Sequence, residues 1–267
     1  MVTKFEKSLS KSDLAKNTVT SYVWTVKYFF AHYKEINKKN LLAYKGYLME
    51  NFKPQTVNLR LQGLNKYLEF IKQDKLKMKF VKVQQKNFLE NVISNADYKF
   101  LKSSLLKDGY KDWYFVVWFM TTTGARVSEL LQIKAEHVDI GHLDIYTKGG
   151  KIRRIYIPRN LQKEALLWLQ ERQINSGYIF LNRFGKRITA RGIAMQLKHF
   201  ADIYGLKREV VYPHSFRHRY AKNFLERFND IALLADLMGH ESIETTRIYL
   251  RRTASEQRKI VDKVVNW

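Results

Sequence analysis

Val19, Tyr22, Val23, Val26, Phe30 and Tyr33 recur at three- and four-residue intervals, which predicts a helix over 18–33 that Asn17 can cap. A second helix fits 40–50. Pro54 opens a third, because its fixed φ and missing N–H suit a first turn, and Val57, Leu61, Leu64, Leu68 and Ile71 share one face. From 73 to 86 the chain reads QDKLKMKFVKVQQK: the period stops and five lysines appear, the expected signature of a basic linker over 75–86. Order restarts where Ser94, with Asp97 three positions on, resembles a capping box.

Residues 111–123 are apolar nearly all round, which predicts a buried helix ended by Gly124. Segments 143–146 and 152–157 alternate as strands do; Lys148-Gly149-Gly150 lies between them and Pro158 closes the pair. Further helices fit 160–172, 189–204, 214–228, 230–238, 243–250 and 254–265. The expected fold class is mainly α. A helical domain over 1–74 is followed by the linker. Residues 87–267 form a mostly helical domain with a small antiparallel β-sheet and a C-terminal helix at 254–267.

Charge sharpens this picture. The 267 residues carry 48 basic against 25 acidic side chains, a net +23. Residues 1–86 hold 18 basic and 6 acidic residues (+12), and the other 181 hold 30 and 19 (+11), so the N-terminal part is about twice as dense in positive charge. Such a chain repels itself unless a polyanion is its partner; nucleic acid is favoured over a membrane surface. With no cysteine, disulfides, Cys-based zinc sites and a Cys nucleophile are excluded. The polar N-terminus lacks the apolar core of a signal peptide, and the apolar run over 113–120 is too short to span a bilayer, so a cytoplasmic location is expected.

Three features carry candidate chemistry. Arg126 follows Thr123-Gly124-Ala125 beside the most apolar helix. A guanidinium there needs an anionic partner, either Glu129 three residues on or a phosphate. His214-Ser215-Phe216-Arg217-His218 places two histidines on one helix face. As a zinc motif it lacks the glutamate of HExxH, and Arg217 would repel a cation. A histidine and an arginine three apart suit a phosphate better: the guanidinium fork binds two oxygens and the imidazole moves a proton. Third, Tyr249 follows Gly239-His240 by nine positions. It is one tyrosine among 16; Tyr212, Tyr220 and Ser215 are rival nucleophiles that position alone does not eliminate. TKGGK lacks the spacing of a nucleotide-binding P-loop.

Taken in order, Arg126 in TGAR, Lys148 in the turn, His214-x-x-Arg217-His218, Leu237-Met238-Gly239-His240, and Tyr249 after Thr245-Thr246 resemble the tyrosine recombinase family, most closely its Xer-like bacterial members. The resemblance spans nearly the whole chain. It implies a SAM-like core-binding domain followed by the fold of DNA breaking-rejoining enzymes, closing as a C-shaped clamp round double-stranded DNA with inverted-repeat sites. It also implies roles. Arg126 and Arg217 would clamp the scissile phosphate, and Lys148 would protonate the departing 5′ oxygen. His214 would assist proton removal, His240 would bond the phosphate, and Tyr249 would form a 3′-phosphotyrosine. Glu129 and His218 would support the site. No metal, ATP or other cofactor is implied. Ala125, Arg219-Tyr220 and Leu250-Arg251 depart from the Xer pattern.

The resemblance further implies four protomers on two sites, with an accessory protein or second recombinase as a possible partner. The apolar face of the helix bearing Ile260, Val261, Val264, Val265 and Trp267 either folds back onto its own core or docks on a neighbouring protomer; docking in trans is the expectation, and the two are not distinguished. The absence of an arm-binding domain before the first helices weighs against a large phage integrase. Rival functions are a type IB topoisomerase, which relaxes DNA without exchanging partners, and a non-catalytic DNA-binding accessory factor. Dimer resolution, inversion and integration are not distinguished.

Overall fold

In a computed structural model of the chain, residues 1–84, 91–146, 152–240, 242–250 and 261–265 are described. The chain divides into two compact units, Met1–Gln85 and Lys86–Trp267. Among the described residues, no helix is long and apolar enough to cross a membrane.

The first unit holds α1 (Val2–Ser10), α2 (Lys16–His32), α3 (Lys38–Asn51) and α4 (Pro54–Phe70). The last three match the expected helices closely, except that α2 starts two residues early with Ala15 at its cap, so Asn17 lies in its first turn and does not cap it. Asn37 caps α3 by accepting from Asn40 N at 2.8 Å, and Pro54 starts α4. The first helix was not anticipated. It is short and buries only Phe5 and Leu9, so it shows little period; Phe5 packs edge-on against Tyr67, ring centroids 5.1 Å apart.

The expected linker over 75–86 needs correction. After α4 the chain turns through a 3-10 helix, Asp74–Leu76, and then lies extended along α4. Two asparagines hold it there. The Asn65 amide accepts from Met78 N and donates to Met78 O, both at 2.9 Å. Asn58 does the same for Val81, at 2.8 and 2.9 Å. Each side chain thus imitates a neighbouring β-strand. The spacings agree: seven residues of helix rise about 10 Å, as do three residues of extended chain. Met78 is buried in the unit's core. The first unit therefore continues past 74 to Gln85.

The second unit contains α5 (Asn95–Lys107), α6 (Lys111–Thr123), α7 (Val127–Leu130), α8 (Ala135–Ile140), β1 (His142–Tyr146), β2 (Ile152–Tyr156), α9 (Arg159–Glu171), α10 (Ala190–Ile203), α11 (Pro213–Arg227), α12 (Ile231–Met238) and α13 (Glu244–Arg247), followed by the 3-10 turn Ile248–Leu250. Ser94 caps α5 as expected. Buried on most sides, α6 is the centre of the core, with Trp168 of α9 stacked on Phe115 at 4.5 Å. The strands pair antiparallel with Tyr146 opposite Ile152 and Leu143 opposite Ile155. Leu143, Arg153 and Ile155 are buried, while Tyr146, Ile152 and Tyr156 are exposed. A second, smaller cluster joins α11, α12 and Tyr249. Of the expected C-terminal helix only 261–265 fall among the described residues; 261–264 are helical, and Val261, Val264 and Val265 are exposed.

Candidate active site

Where α6 ends, Gly124 takes a left-handed conformation, φ +63°. A Cβ there would lie 2.4 Å from the Tyr220 ring, so glycine is required for both shape and space. The turn delivers Arg126 to the start of α7. Glu129, one turn on, accepts from Arg126 N at 2.7 Å and from Arg126 Nη1 at 2.8 Å. Its carboxylate also accepts from Arg153 Nη1 at 2.6 Å, and Arg217 Nη1 stands 4.0 Å away. One buried carboxylate thus serves three guanidiniums and leaves the pocket a net cation.

Pro213 starts α11, whose first turns bury Ser215, Phe216 and Arg217. Ser215 Oγ accepts from Ile93 N at 2.8 Å and has no exposure, the setting of a packing residue. Arg217 donates to Gly124 O, to Met238 O at 2.6 Å and to His240 Nε2 at 3.2 Å. A guanidinium only donates, so Nε2 of His240 accepts; the ring proton sits on Nδ1, which bonds Thr246 Oγ1 at 2.7 Å. Gly239, φ +62°, ends α12 and accepts from Arg126 Nη2 at 3.2 Å. The chain then returns through α13 and brings Tyr249, 7% exposed, against α11. Its Oη lies 2.9 Å from Nδ1 of His218.

The electrostatics follow from this burial. Desolvation pushes the Tyr249 phenol up to about 12, although Arg217 and Arg126 act to lower it. Desolvation, then the His214 ring and Arg217, hold His218 at about 4. His240 is likewise held at about 4 by desolvation and then by Arg217, Arg126 and Arg153. Both rings are therefore neutral near pH 7. Burial opposes the Glu129 charge, but Arg153 and the hydrogen bonds from Arg126 outweigh it and hold the carboxyl below its ordinary value. Desolvation and the neighbouring Arg126 and Arg153 lower Arg217 to about 10, still a cation at neutral pH.

Of the residues expected from sequence, Arg126, Glu129, Arg217 and His240 form one hydrogen-bonded network, and His218 and Tyr249 form a pair beside it. Lys148 lies outside the described residues. The ring that meets Tyr249 is that of His218, the residue expected to support the site, while His214, expected to assist proton removal, stands one turn earlier. The two are one helical turn apart on α11 with ring centroids 6.3 Å apart, and the returning turn reaches the later one. Tyr220 spends its ring against Gly124, and burial raises its phenol. Tyr212 stands at the cap of α11. Sequence reasoning missed Arg153 and Thr246. The signal for Arg153 was present: in an alternating strand Arg153 and Arg154 must face opposite ways, so one arginine points inward. Among the described residues, no cluster of three or more His, Asp or Glu could hold a metal ion.

Comparison with known proteins bears on the family and the fold. Residues 88–256 match the model of the phage integrase family. Tyrosine recombinase XerA of Pyrococcus furiosus is 29% identical over 269 residues, covering 97% of this chain and 92% of that one. Among solved structures, the Tn1549 transposon integrase in complex with transposon right end DNA superposes with a TM-score of 0.74 at 14% identity, covering 99% of each chain. XerH site-specific recombinase bound to palindromic difH substrate in a post-cleavage complex gives 0.73 at 21% identity, covering 100% of this chain and 85% of that one. With the family model matching well over half its length, and with arginines, histidines and a tyrosine gathered round one cationic pocket, this chain belongs to the phage integrase family, the tyrosine recombinases.

Proposed function

We propose that this enzyme, a site-specific DNA recombinase, cuts and rejoins double-stranded DNA through a covalent bond between Tyr249 and a backbone phosphate. The observation that carries the assignment of the nucleophile is the 2.9 Å contact between Tyr249 Oη and His218 Nδ1, beside the Arg126–Arg217–His240 network. A phenol held at about 12 is protonated at neutral pH and needs a base. A neutral His218 is free to take that proton as Oη attacks phosphorus.

The bond from phosphorus to the 5′ oxygen then breaks, and the departing oxygen takes a proton from Lys148. Arg126 and Arg217 would each bond a nonbridging oxygen as charge builds on the pentacoordinate phosphorus. To bond the phosphate, His240 would carry its proton on Nε2, with Nδ1 then accepting from the Thr246 hydroxyl that orients the ring. Rejoining runs the same steps backward: an incoming 5′ hydroxyl attacks, and the Tyr249 oxygen leaves and recovers its proton. The phosphodiester energy is kept in the tyrosyl bond, so the cycle needs no nucleotide.

The DNA partner would carry paired inverted-repeat sites, with four protomers on two sites and in some settings an accessory protein or second recombinase. The exposed valines at 261, 264 and 265 support docking of the C-terminal segment on a neighbour. A DNA substrate also argues for action in the cytoplasm. Incubation with nicked duplexes made from the DNA that the chain traps covalently tests the chemistry. Wild-type protein should accumulate a protein–DNA adduct, and Tyr249→Phe should bind but form none. Adduct formation by Tyr249→Phe would move the nucleophile elsewhere. Strand exchange between two such sites, beyond relaxation of one supercoiled circle, tests recombination.

A further inference from the structure

We infer that Arg153, which none of the assigned roles includes, is a positioning residue for cleavage: it locks the phosphate-binding arginine Arg126 and the Gly239–His240 turn to the β-hairpin. The inference rests on the recombinase reading above.

The geometry is that of a strut. Arg153 lies on β2, two residues after the undescribed 147–151 stretch that holds Lys148, and it points inward with 6% exposure. At one end Nη1 donates to Glu129 Oε2 at 2.6 Å. The same carboxylate holds Arg126 through its backbone N and its guanidinium. Along its length Nε donates to Leu237 O at 2.9 Å, the last turn of α12. Its aliphatic part passes so close to Gly239 that a Cβ there would lie 2.3 Å from Arg153 Cδ. Arg126 closes the loop by donating to Gly239 O at 3.2 Å. Three segments far apart in sequence, at 126–129, 153 and 237–240, are therefore tied in one ring of contacts.

A merely structural ion pair would not need this arrangement. A lone Glu129–Arg126 pair already satisfies both partners, and at 38% side-chain exposure Arg126 could turn towards water. Arg153 adds a second side-chain donor to the Glu129 carboxylate, on the oxygen that also accepts from Arg126 N, and so holds the carboxylate whose other oxygen orients the Arg126 guanidinium. Lysine cannot repeat the arrangement. It has one point of charge where Arg153 uses two nitrogens to reach two acceptors in different directions. In a reaction that depends on donors aimed at a developing charge, small misplacements of Arg126 slow chemistry more than they weaken binding.

The test is single-turnover adduct formation at saturating enzyme on a nicked duplex carrying the trapped DNA sequence. DNA affinity by gel shift and melting temperature are measured alongside. Arg153→Lys should bind within about twofold of wild type and lose roughly 10- to 100-fold in rate. The same change made in Arg126→Lys protein should cost less than about threefold more, because its effect passes through Arg126. A general loosening of the fold would instead multiply with the first loss. Unchanged cleavage by folded Arg153→Lys would overturn the proposal, as would full multiplication of the two losses. If Arg153→Lys fails to fold, the neutral pair Glu129→Gln with Arg153→Met keeps the question open to refutation. That pair leaves no buried charge unmatched between its two positions, and wild-type cleavage by it would equally sink the idea. Failure of the wild-type chain to trap any DNA would overturn the recombinase reading, and this inference with it.

Discussion

Tyr249 Oη and His218 Nδ1 are 2.9 Å apart, while His214, the histidine nearer the start of α11, has its ring centroid 6.3 Å from that of His218. On the proposed chemistry, this contact makes His218 the candidate base. Replacing His218 by alanine should lower the rate of adduct formation by about 10²–10³-fold, in the range of a lost general base. His214→Ala should cost no more than about a tenth of that. Rapid-quench assays on a nicked duplex check both, and a larger loss at His214 would reverse the assignment.

Stability should depend on pH through the same rings. His218 and His240 titrate near 6.5 when unfolded and at about 4 when folded. Between those values the unfolded chain binds more protons, so stability declines as pH falls from about 6.5 towards about 4, and these groups contribute no slope above that window. Half-exposed His240 counts for less than its shift suggests. The melting temperature is expected to drop by roughly 5 °C between about pH 7 and pH 5. His218→Gln should flatten that slope; an unaltered slope would mean that His218 is not held neutral.

Ser215 offers a clean separation of stability from chemistry. Its hydroxyl accepts from Ile93 N in a fully buried setting. Alanine there strands a buried N–H and should cost about 1–3 kcal/mol in urea denaturation. Adduct formation should persist at temperatures where the variant is folded. Its abolition in folded protein would return Ser215 to the list of nucleophiles.

Gly124→Ala should be worse than an ordinary helix-end change. The site has φ +63°, and the new methyl group would meet the Tyr220 ring at 2.4 Å. A loss of about 2 kcal/mol or more is expected, with cleavage reduced because the Gly124 carbonyl holds Arg217. Equilibrium unfolding that matches wild type would show that the turn adapts freely.

Much of this architecture was readable in the chain. Helices such as α2, α4 and α6 repeat their apolar positions over several turns, and Gly124 marks its own stop. What periodicity cannot carry is the partner across space. Gly124 needs Tyr220, and Gly239 needs Arg153; each pair is separated by some ninety residues. The spacing of His214 and His218 put both on one face. Only the path of the chain after α12 decided which would touch Tyr249. The segment after α4 looked like a tether because its lysines mask an extended run. Its anchors, Asn58 and Asn65, read as neutral surface residues of a helix.

Those two asparagines bear on how members of this family are recombined with one another in the laboratory. A chimera joined at residue 74 would take the α4 groove from one parent and the strand that fills it from another, so four backbone-to-amide bonds and the seat of Met78 would depend on a match between strangers. The natural seam lies beyond residue 84. Cut there, the lysines at 75, 77, 79 and 82 travel with the helices that display them, and the positive surface of the donor is inherited whole.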